Sequence, residues 1–213
     1  MRLKLGLFLC VLNTAYGADN LATIQQMGEL QTATVLQTGT GNQVVLEQMG
    51  SAAALTGLAH VAQVTQTGAA NVAYITQTDD NNTLSVSQDN AGGALGNSVN
   101  ASQAGTLNVA DVVQSGVANT AQLAQVGAGN TANLSQYGED NLINVIQAMS
   151  GNQARIEQNG TGNQVNLSQT GMNNVAGVTQ TGSNNSVTII QTGNDHVVNV
   201  VESGGVALTV IQP

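Results

Sequence analysis

The sequence has very few of the residues that build an ordinary globular core or bind nucleic acid. Its 213 residues include no tryptophan, one phenylalanine, one proline and one cysteine. Only 7% are charged, with three Lys or Arg against twelve Asp or Glu. Because phosphate contacts need clusters of Lys and Arg, we expect no nucleic acid among its partners. A hydrophobic content of 41% also argues against a disordered chain.

The first 17 residues have the order typical of a secretory signal. Two basic residues precede an apolar run, Leu5–Leu12, and small residues end the segment at Gly17. The run is too short to cross a bilayer as a helix. We predict cleavage after Gly17, which leaves residues 18–213 as the secreted repeat domain. A lipoprotein signal at Cys10 is the alternative, although the bulky Leu9 before it does not favour one.

The rest of the chain repeats a unit of eleven residues. The unit QVGAGNTANLSQ at Gln125–Gln136 is followed by QYGEDNLINVIQ at Gln136–Gln147. Each unit runs Gln, any residue, Gly, two variable residues, Asn, two apolar residues at alternate positions, and the next Gln. A fixed period indicates a repeat architecture. Two steps are longer, with extra residues within Gly50–Ala59 and around Asn90–Ala94, and we expect these to lengthen loops without breaking the register.

The alternation within a unit predicts a β-strand. From Asn130 to Gln136, apolar and polar residues alternate with a period of two, and the Gln-x-Gly segment is typical of a turn. We predict a strand of about six residues and a turn of about five, seventeen times over. Two units close one coil, which gives an all-β, two-sheet parallel β-solenoid of 22-residue coils. Such a solenoid is able to stack as cross-β amyloid.

The inward face of each strand is predicted to carry two apolar residues between two amides. Apolar pairs such as Val44 with Leu46 form a thin core. An unpaired buried amide costs about 1–3 kcal/mol, but an in-register stack lets each NH2 group donate to the same residue one coil up. The predicted structural amide ladder consists of Gln26, Gln37, Gln48, Gln66, Gln77, Gln88, Gln103, Gln114, Gln125, Gln136, Gln147, Gln158, Gln169, Gln180, Gln191 and Gln212, with Asn20, Asn42, Asn71, Asn82, Asn97, Asn108, Asn119, Asn130, Asn141, Asn152, Asn163, Asn174 and Asn185.

Three other residues stand in the Asn position: Gln31, His60 and His196. We interpret the two histidines as hydrogen-bonding substitutes for Asn, because they lie six coils apart and are too distant to share a metal ion. No nucleophile–base set, phosphate loop or cofactor motif is recognised. We therefore predict no enzymatic activity, no catalytic residue, no cofactor and no metal.

Acidic residues fall mainly in the predicted turns, where their repulsion could slow stacking. The hypothesis is that they are gatekeepers, so that assembly accelerates as the pH falls through carboxylate titration. A plain contribution to solubility is the alternative. The residues concerned are Asp79, Asp80, Asp89, Glu139, Asp140 and Asp195.

The Gln-x-Gly-x-x-Asn-x-Ala unit closed by another Gln, doubled to 22 residues behind a signal segment, resembles the curlin repeat of bacterial curli subunits. The resemblance covers Asn20–Gln212. It implies a secreted subunit that polymerises into extracellular amyloid fibres for adhesion and biofilm matrix. It also implies, as partners, copies of itself, a nucleator subunit, an outer-membrane secretion channel and periplasmic accessory proteins.

One feature differs from the family pattern, and another leaves open whether the chain is a major subunit or a nucleator. The repeat begins directly after the predicted cleavage site, without the non-repeating segment that addresses major curlins to their channel. Arg155 is the only basic residue after the signal, which favours a major subunit, whereas the irregular tail Glu202–Pro213 resembles that of a nucleator. The alternative function is a soluble extracellular β-solenoid that binds ice or another surface.

Overall fold

The computed structural model describes residues 9–28, 31–50, 59–90 and 93–213, and within these ranges the chain forms strands joined by short turns. The strands are β1 (Leu9–Tyr16), β2 (Leu21–Met27), β3 (Thr32–Thr40), β4 (Gln43–Gly50), β5 (Val61–Ala69), β6 (Val72–Asp80), β7 (Thr83–Asn90), β8 (Ser98–Thr106), β9 (Val109–Val117), β10 (Thr120–Ala128), β11 (Thr131–Glu139), β12 (Leu142–Ser150), β13 (Gln153–Thr161), β14 (Gln164–Met172), β15 (Val175–Ser183), β16 (Ser186–Thr192), β17 (Val197–Ser203) and β18 (Ala207–Gln212). No helix in these ranges is long and apolar enough to cross a membrane.

The strands form two parallel sheets. Sheet A contains the odd-numbered strands from β1 to β17 and sheet B contains the even-numbered strands from β2 to β18, each in chain order. Neighbouring strands within a sheet are therefore two apart in sequence. A strand in one sheet and the next strand in the other complete one coil, which confirms the predicted β-solenoid of 22-residue coils.

Equivalent residues of successive coils lie directly beside each other. In sheet A, Gln136 of β11 pairs with Gln114 of β9 and with Gln158 of β13. The register also survives the longer steps, since Gln66 pairs with Gln37 and Gln103 pairs with Gln77. The two insertions therefore lengthen connections without displacing the strands, as predicted. Parts of both insertions, residues 51–58 and 91–92, lie outside the described residues.

The strands are longer and the turns shorter than predicted. Strand β11 ends at Glu139 and β12 begins at Leu142, so only Asp140 and Asn141 separate two strands of nine residues each. The predicted length of six was wrong because the Gln-x-Gly segment was assigned to the turn. Its backbone bends but continues the ladder, since Tyr137-Gly-Glu139 pairs with the corresponding residues of β13.

Most units of the repeat have a glycine at the bend, where successive coils approach closely. Gly138 has φ of 113°, a conformation that side chains disfavour. A Cβ atom placed there would overlap the carbonyl oxygen of Gly160 in the next coil. A larger residue with the φ of Gly138 would therefore overlap the next coil. In β6 and β12 the equivalent residues are Asp79 and Met149, whose φ values of 71° and 76° differ from that of Gly138.

A thin apolar core lies between the two sheets. Each interior strand contributes two buried apolar residues, each small or branched, as in Ala132 and Leu134 of β11. The predicted pairs lie in this core, for example Val44 with Leu46 and Val187 with Ile189. At the C-terminal end the burial is less complete, and Val210 of β18 only packs against the edge of the core.

The N-terminal strand overlaps the predicted signal segment. The backbone of Leu9–Tyr16 lies beside β3 in sheet A, with a register shift between Val11 and Thr14. Cleavage after Gly17 stays a prediction. It would remove β1 and leave β3 as the edge of sheet A.

Candidate functional site: the amide ladders

A column of glutamines runs along each sheet, on the side that faces the interior. The sheet A column contains Gln37, Gln66, Gln88, Gln114, Gln136, Gln158 and Gln180 and ends at Glu202, and the sheet B column contains Gln26, Gln48, Gln77, Gln103, Gln125, Gln147, Gln169, Gln191 and Gln212. All are buried except Gln212, which is half-buried. Between glutamines, each Nε2 donates to the Oε1 of the next coil toward the C-terminus, at 2.7–3.0 Å.

The glutamines also join the two sheets to each other. The Nε2 of Gln136 in β11 donates to the backbone carbonyl of Thr120, the first residue of β10, at 3.0 Å. Gln147 in β12 donates in the same way to Thr131 of β11. A primary amide carries two protons, and both are used here, one along the column and one across the core. The sequence pattern did not predict this second contact.

The asparagines form a second kind of ladder, in the turns. The Oδ1 of Asn108 accepts the backbone N–H and the Nδ2 of Asn130, both at 3.1 Å. Asn130 also donates from Nδ2 to the carbonyl of Met149 at 3.0 Å, which joins its turn to the following one. Donation along this column points toward the N-terminus, opposite to the glutamine columns.

The described asparagines follow this pattern with two local differences. The ladder asparagines are buried except Asn20 at the first turn, which is half-buried. At Asn97 and Asn108 only the backbone N–H, and not Nδ2, donates to the preceding Asn Oδ1. Most equivalent pairs elsewhere, such as Asn141 with Asn119, use both groups. The amides predicted from sequence are therefore brought together into continuous columns.

The buried side-chain atoms without a hydrogen-bond partner lie near the two ends of sheet A. Within the described part of the chain, four buried side-chain atoms have no hydrogen-bond partner: Oε1 of Gln31, Oε1 of Gln37, Nε2 of His60 and Oε1 of Glu202. The first three lie in or before β3 and β5, and the fourth lies in the last strand of the sheet. Column ends lack the neighbour that satisfies interior amides.

His60 occupies an Asn position without reproducing all of its contacts. Its Nδ1 accepts the backbone N–H of Asn82 at 3.3 Å, as an Asn Oδ1 does elsewhere. Burial lowers the pKa of His60 below its ordinary value of 6.5, and the opposing effects of the backbone at Met49 and Asp79 and of the Asp80 and Asp79 carboxylates are smaller. The neutral form of the ring is therefore favoured. His196, at the other end, is half-buried, and its backbone N–H donates to Asn174.

The acidic residues predicted to be gatekeepers lie in or next to the turns. All are exposed except Asp80, which is half-buried. Asp79, Asp140 and Asp195 have positive φ values between 54° and 71°. Asp tolerates this conformation better than most residues, so Asp140 and Asp195 also satisfy a backbone requirement of the turn, and Asp79 satisfies that of the bend in β6. No group of three or more His, Cys, Asp or Glu that could hold a metal ion is found among the described residues.

The comparison with known families agrees with this geometry. A family model described as "Curlin associated repeat" matches residues 17–50, 62–89, 108–138, 138–171, 160–193 and 171–200. The chain belongs to the curlin repeat family. No curated protein matches it. The two gaps between curlin matches, at 51–61 and 90–107, contain the two insertions. Curlin repeats on a two-sheet β-solenoid fit a curli-like structural subunit.

Replacing one interior ladder glutamine should destabilise the fold strongly. Gln147→Leu would leave Nε2 of Gln125 without its acceptor, and Oε1 of Gln169 and the carbonyl of Thr131 without their donor. Each unpaired buried group costs about 1–3 kcal/mol, so we expect a loss of about 3 kcal/mol or more in the free energy of unfolding. Urea unfolding of the freshly refolded monomer, followed by circular dichroism, measures it.

The matched control is Gln122→Leu on the outer face of β10, where the side chain is exposed. It should change the free energy of unfolding by less than about 0.5 kcal/mol. Equal losses in the two variants would show that the interior column does not stabilise the fold.

The neutral His60 should make stability depend on pH. Because its pKa is lower in the folded chain than in the unfolded chain, the unfolded state binds more protons as the pH falls. The stability associated with neutral His60 is therefore complete above pH ~6.5 and is lost as the pH falls toward the folded pKa. In urea unfolding, the decrease in free energy between about pH 7 and about pH 5 should be smaller in His60→Asn than in the wild type. His196→Asn is the control, and a variant His60→Asn with the wild-type decrease would contradict the prediction.

Proposed function

We propose that this chain is a secreted structural subunit that polymerises end to end into extracellular, curli-like amyloid fibres. The observation that carries the proposal is the chemistry of the solenoid ends. Each end presents a parallel edge strand in each sheet, and such edges accept a further strand of matching register. Family membership supports self-association as the mode of assembly.

The core residues of the two end coils are only partly buried, and stacking of a second copy would bury them further. Ile24 of β2 and Val210 of β18 occupy core positions but are only partly buried, whereas the equivalent Leu134 in the interior is buried. Soluble solenoids usually cover such ends with a polar capping unit. In strand β18, Leu208 and Ile211 remain 39% and 64% exposed. A second copy placed on this end would bury part of that apolar surface.

We also propose the partners and roles that family membership suggests for this chain. A nucleator subunit, an outer-membrane secretion channel and periplasmic accessory proteins are the proposed partners, and adhesion and biofilm matrix are the proposed roles. We propose no enzymatic activity and no nucleic-acid partner, and the net charge of −9 opposes contact with phosphates. The signal segment 1–17 and localisation outside the cell are part of the same proposal.

Incubation of dilute refolded protein tests polymerisation. We expect thioflavin-positive fibres whose diffraction shows a ~4.7–4.8 Å spacing along the fibre axis and a ~10 Å spacing across it. Val210→Lys, which places a charge at an inward position of the edge strand, should stop elongation. The control Thr209→Lys, on the exposed outer face of the same strand, should still elongate. A wild type that stays monomeric and inhibits ice recrystallisation would instead support the surface-binding alternative.

The turn carboxylates should delay assembly if they are gatekeepers. Replacing Asp79, Asp140 and Asp195 by Asn removes three charges and keeps a residue that accepts positive φ. We expect a shorter lag before fibre growth, measured by thioflavin fluorescence. The control variant neutralises three carboxylates in the middle of strands, away from the turns: Glu47→Gln, Asp111→Asn and Glu157→Gln. If both variants shorten the lag equally, the effect is one of net charge alone.

A further inference from the structure

The two glutamine columns end differently at the C-terminal end of the solenoid. The sheet B column ends at Gln212, whose Oε1 accepts from Gln191 at 2.9 Å. Its Nε2 makes one long contact, to the carbonyl of Val197 at 3.4 Å. The sheet A column ends at Glu202, in the position that glutamine occupies in the strands from β3 to β15. A carboxylate accepts hydrogen bonds and donates none.

Glu202 is buried without being satisfied. The side chain is 7% exposed, and its Oε2 accepts from Nε2 of Gln180 at 3.4 Å. The glutamine pairs earlier in the same column are joined at 2.8–3.0 Å. Its Oε1 has no partner among the described residues. It also lacks the proton that an interior glutamine gives to a backbone carbonyl of the opposite sheet, as Gln180 does to Gln164.

The direction of the columns shows what a second copy would meet at this end. Because each glutamine donates toward the C-terminus, the last residue of a column must donate to the first residue of the next copy. Without residues 1–17, sheet A has eight strands and sheet B has nine, so the coil continues when β2 of the next copy follows β17 and β3 follows β18. Gln212 then has an Nε2 available for Oε1 of Gln37, which is buried and lacks a donor. Glu202 meets Oε1 of Gln26, which is another acceptor because the Nε2 of Gln26 donates to Gln48.

We propose that Glu202 weakens the joint between two copies of this chain, by interrupting one of the two glutamine columns where the C-terminal coil meets the N-terminal coil of the next copy. The inference rests on the proposed function. It adds the residue that weakens the joint, Glu202, and the end of the solenoid at which that residue lies. The sheet B column continues through the joint with matched donor and acceptor. The sheet A column brings an acceptor to a position without a donor, so the joint is weaker than the interior of either copy.

The test compares the concentration of soluble protein that remains in equilibrium with fibres. Glu202→Gln restores the donor and should lower this concentration about tenfold, which corresponds to about 1.4 kcal/mol per joint. Glu202→Ala removes the charge without supplying a donor and should lie between the wild type and Glu202→Gln. The matched control is Glu157→Gln, an equal change of charge in β13 of the same sheet, at a half-buried outward position. It should leave the concentration unchanged.

The outcomes separate this inference from the function on which it rests. If the wild type forms fibres and Glu202→Gln has the same soluble concentration, the inference is wrong and the proposed function stands. If Glu202→Gln and Glu157→Gln lower the concentration equally, net charge explains the effect and the inference is again wrong. If the wild type forms no fibres, the proposed function fails and the inference fails with it.

Discussion

The fold depends on the requirement that a buried amide must use its hydrogen-bonding groups. Some thirty Asn and Gln side chains lie inside or beside a thin apolar core, and unpaired groups there would each cost about 1–3 kcal/mol. A strict in-register stack satisfies them, because each amide meets an identical one in the next coil. A shift of one residue would expose the whole set and turn apolar residues outward. The amides therefore specify the register as well as stabilising it.

The Gln, Asn and Gly positions of the repeat stabilise the coil in different ways. The glutamine joins coil to coil and also sheet to sheet, as Gln136 does through Thr120. The asparagine joins turn to turn, as Asn130 does through Asn108 and Met149. The glycine permits the close approach at the bend, as at Gly138.

Much of this was predictable from sequence because the period itself determines the topology. Alternation in Asn130–Gln136 indicated the strand and its inward face, and the spacing indicated which residues stack. Strand length was mistaken because a glycine bend looks like a turn in sequence, although its backbone remains paired. The direction of donation and the contact of Gln136 with the opposite sheet depend on side-chain rotamers, which a residue pattern does not specify. Likewise, the buried His60 was recognised as an Asn substitute, but its unpaired Nε2 was not predicted.

A solenoid of identical units has nearly the same interactions within a molecule as between molecules. Each coil contacts only its neighbours, so stability grows by increments along one axis and has no natural limit. What separates one copy from the next is the small set of residues at the two ends. The substitutions at the Asn and Gln positions of the repeat collect there: Gln31 and His60 near one end, and His196 and Glu202 at the other. Interior positions are constrained by two neighbours, whereas end positions have only one, so the ends are where this sequence can vary its interactions without disturbing the coil.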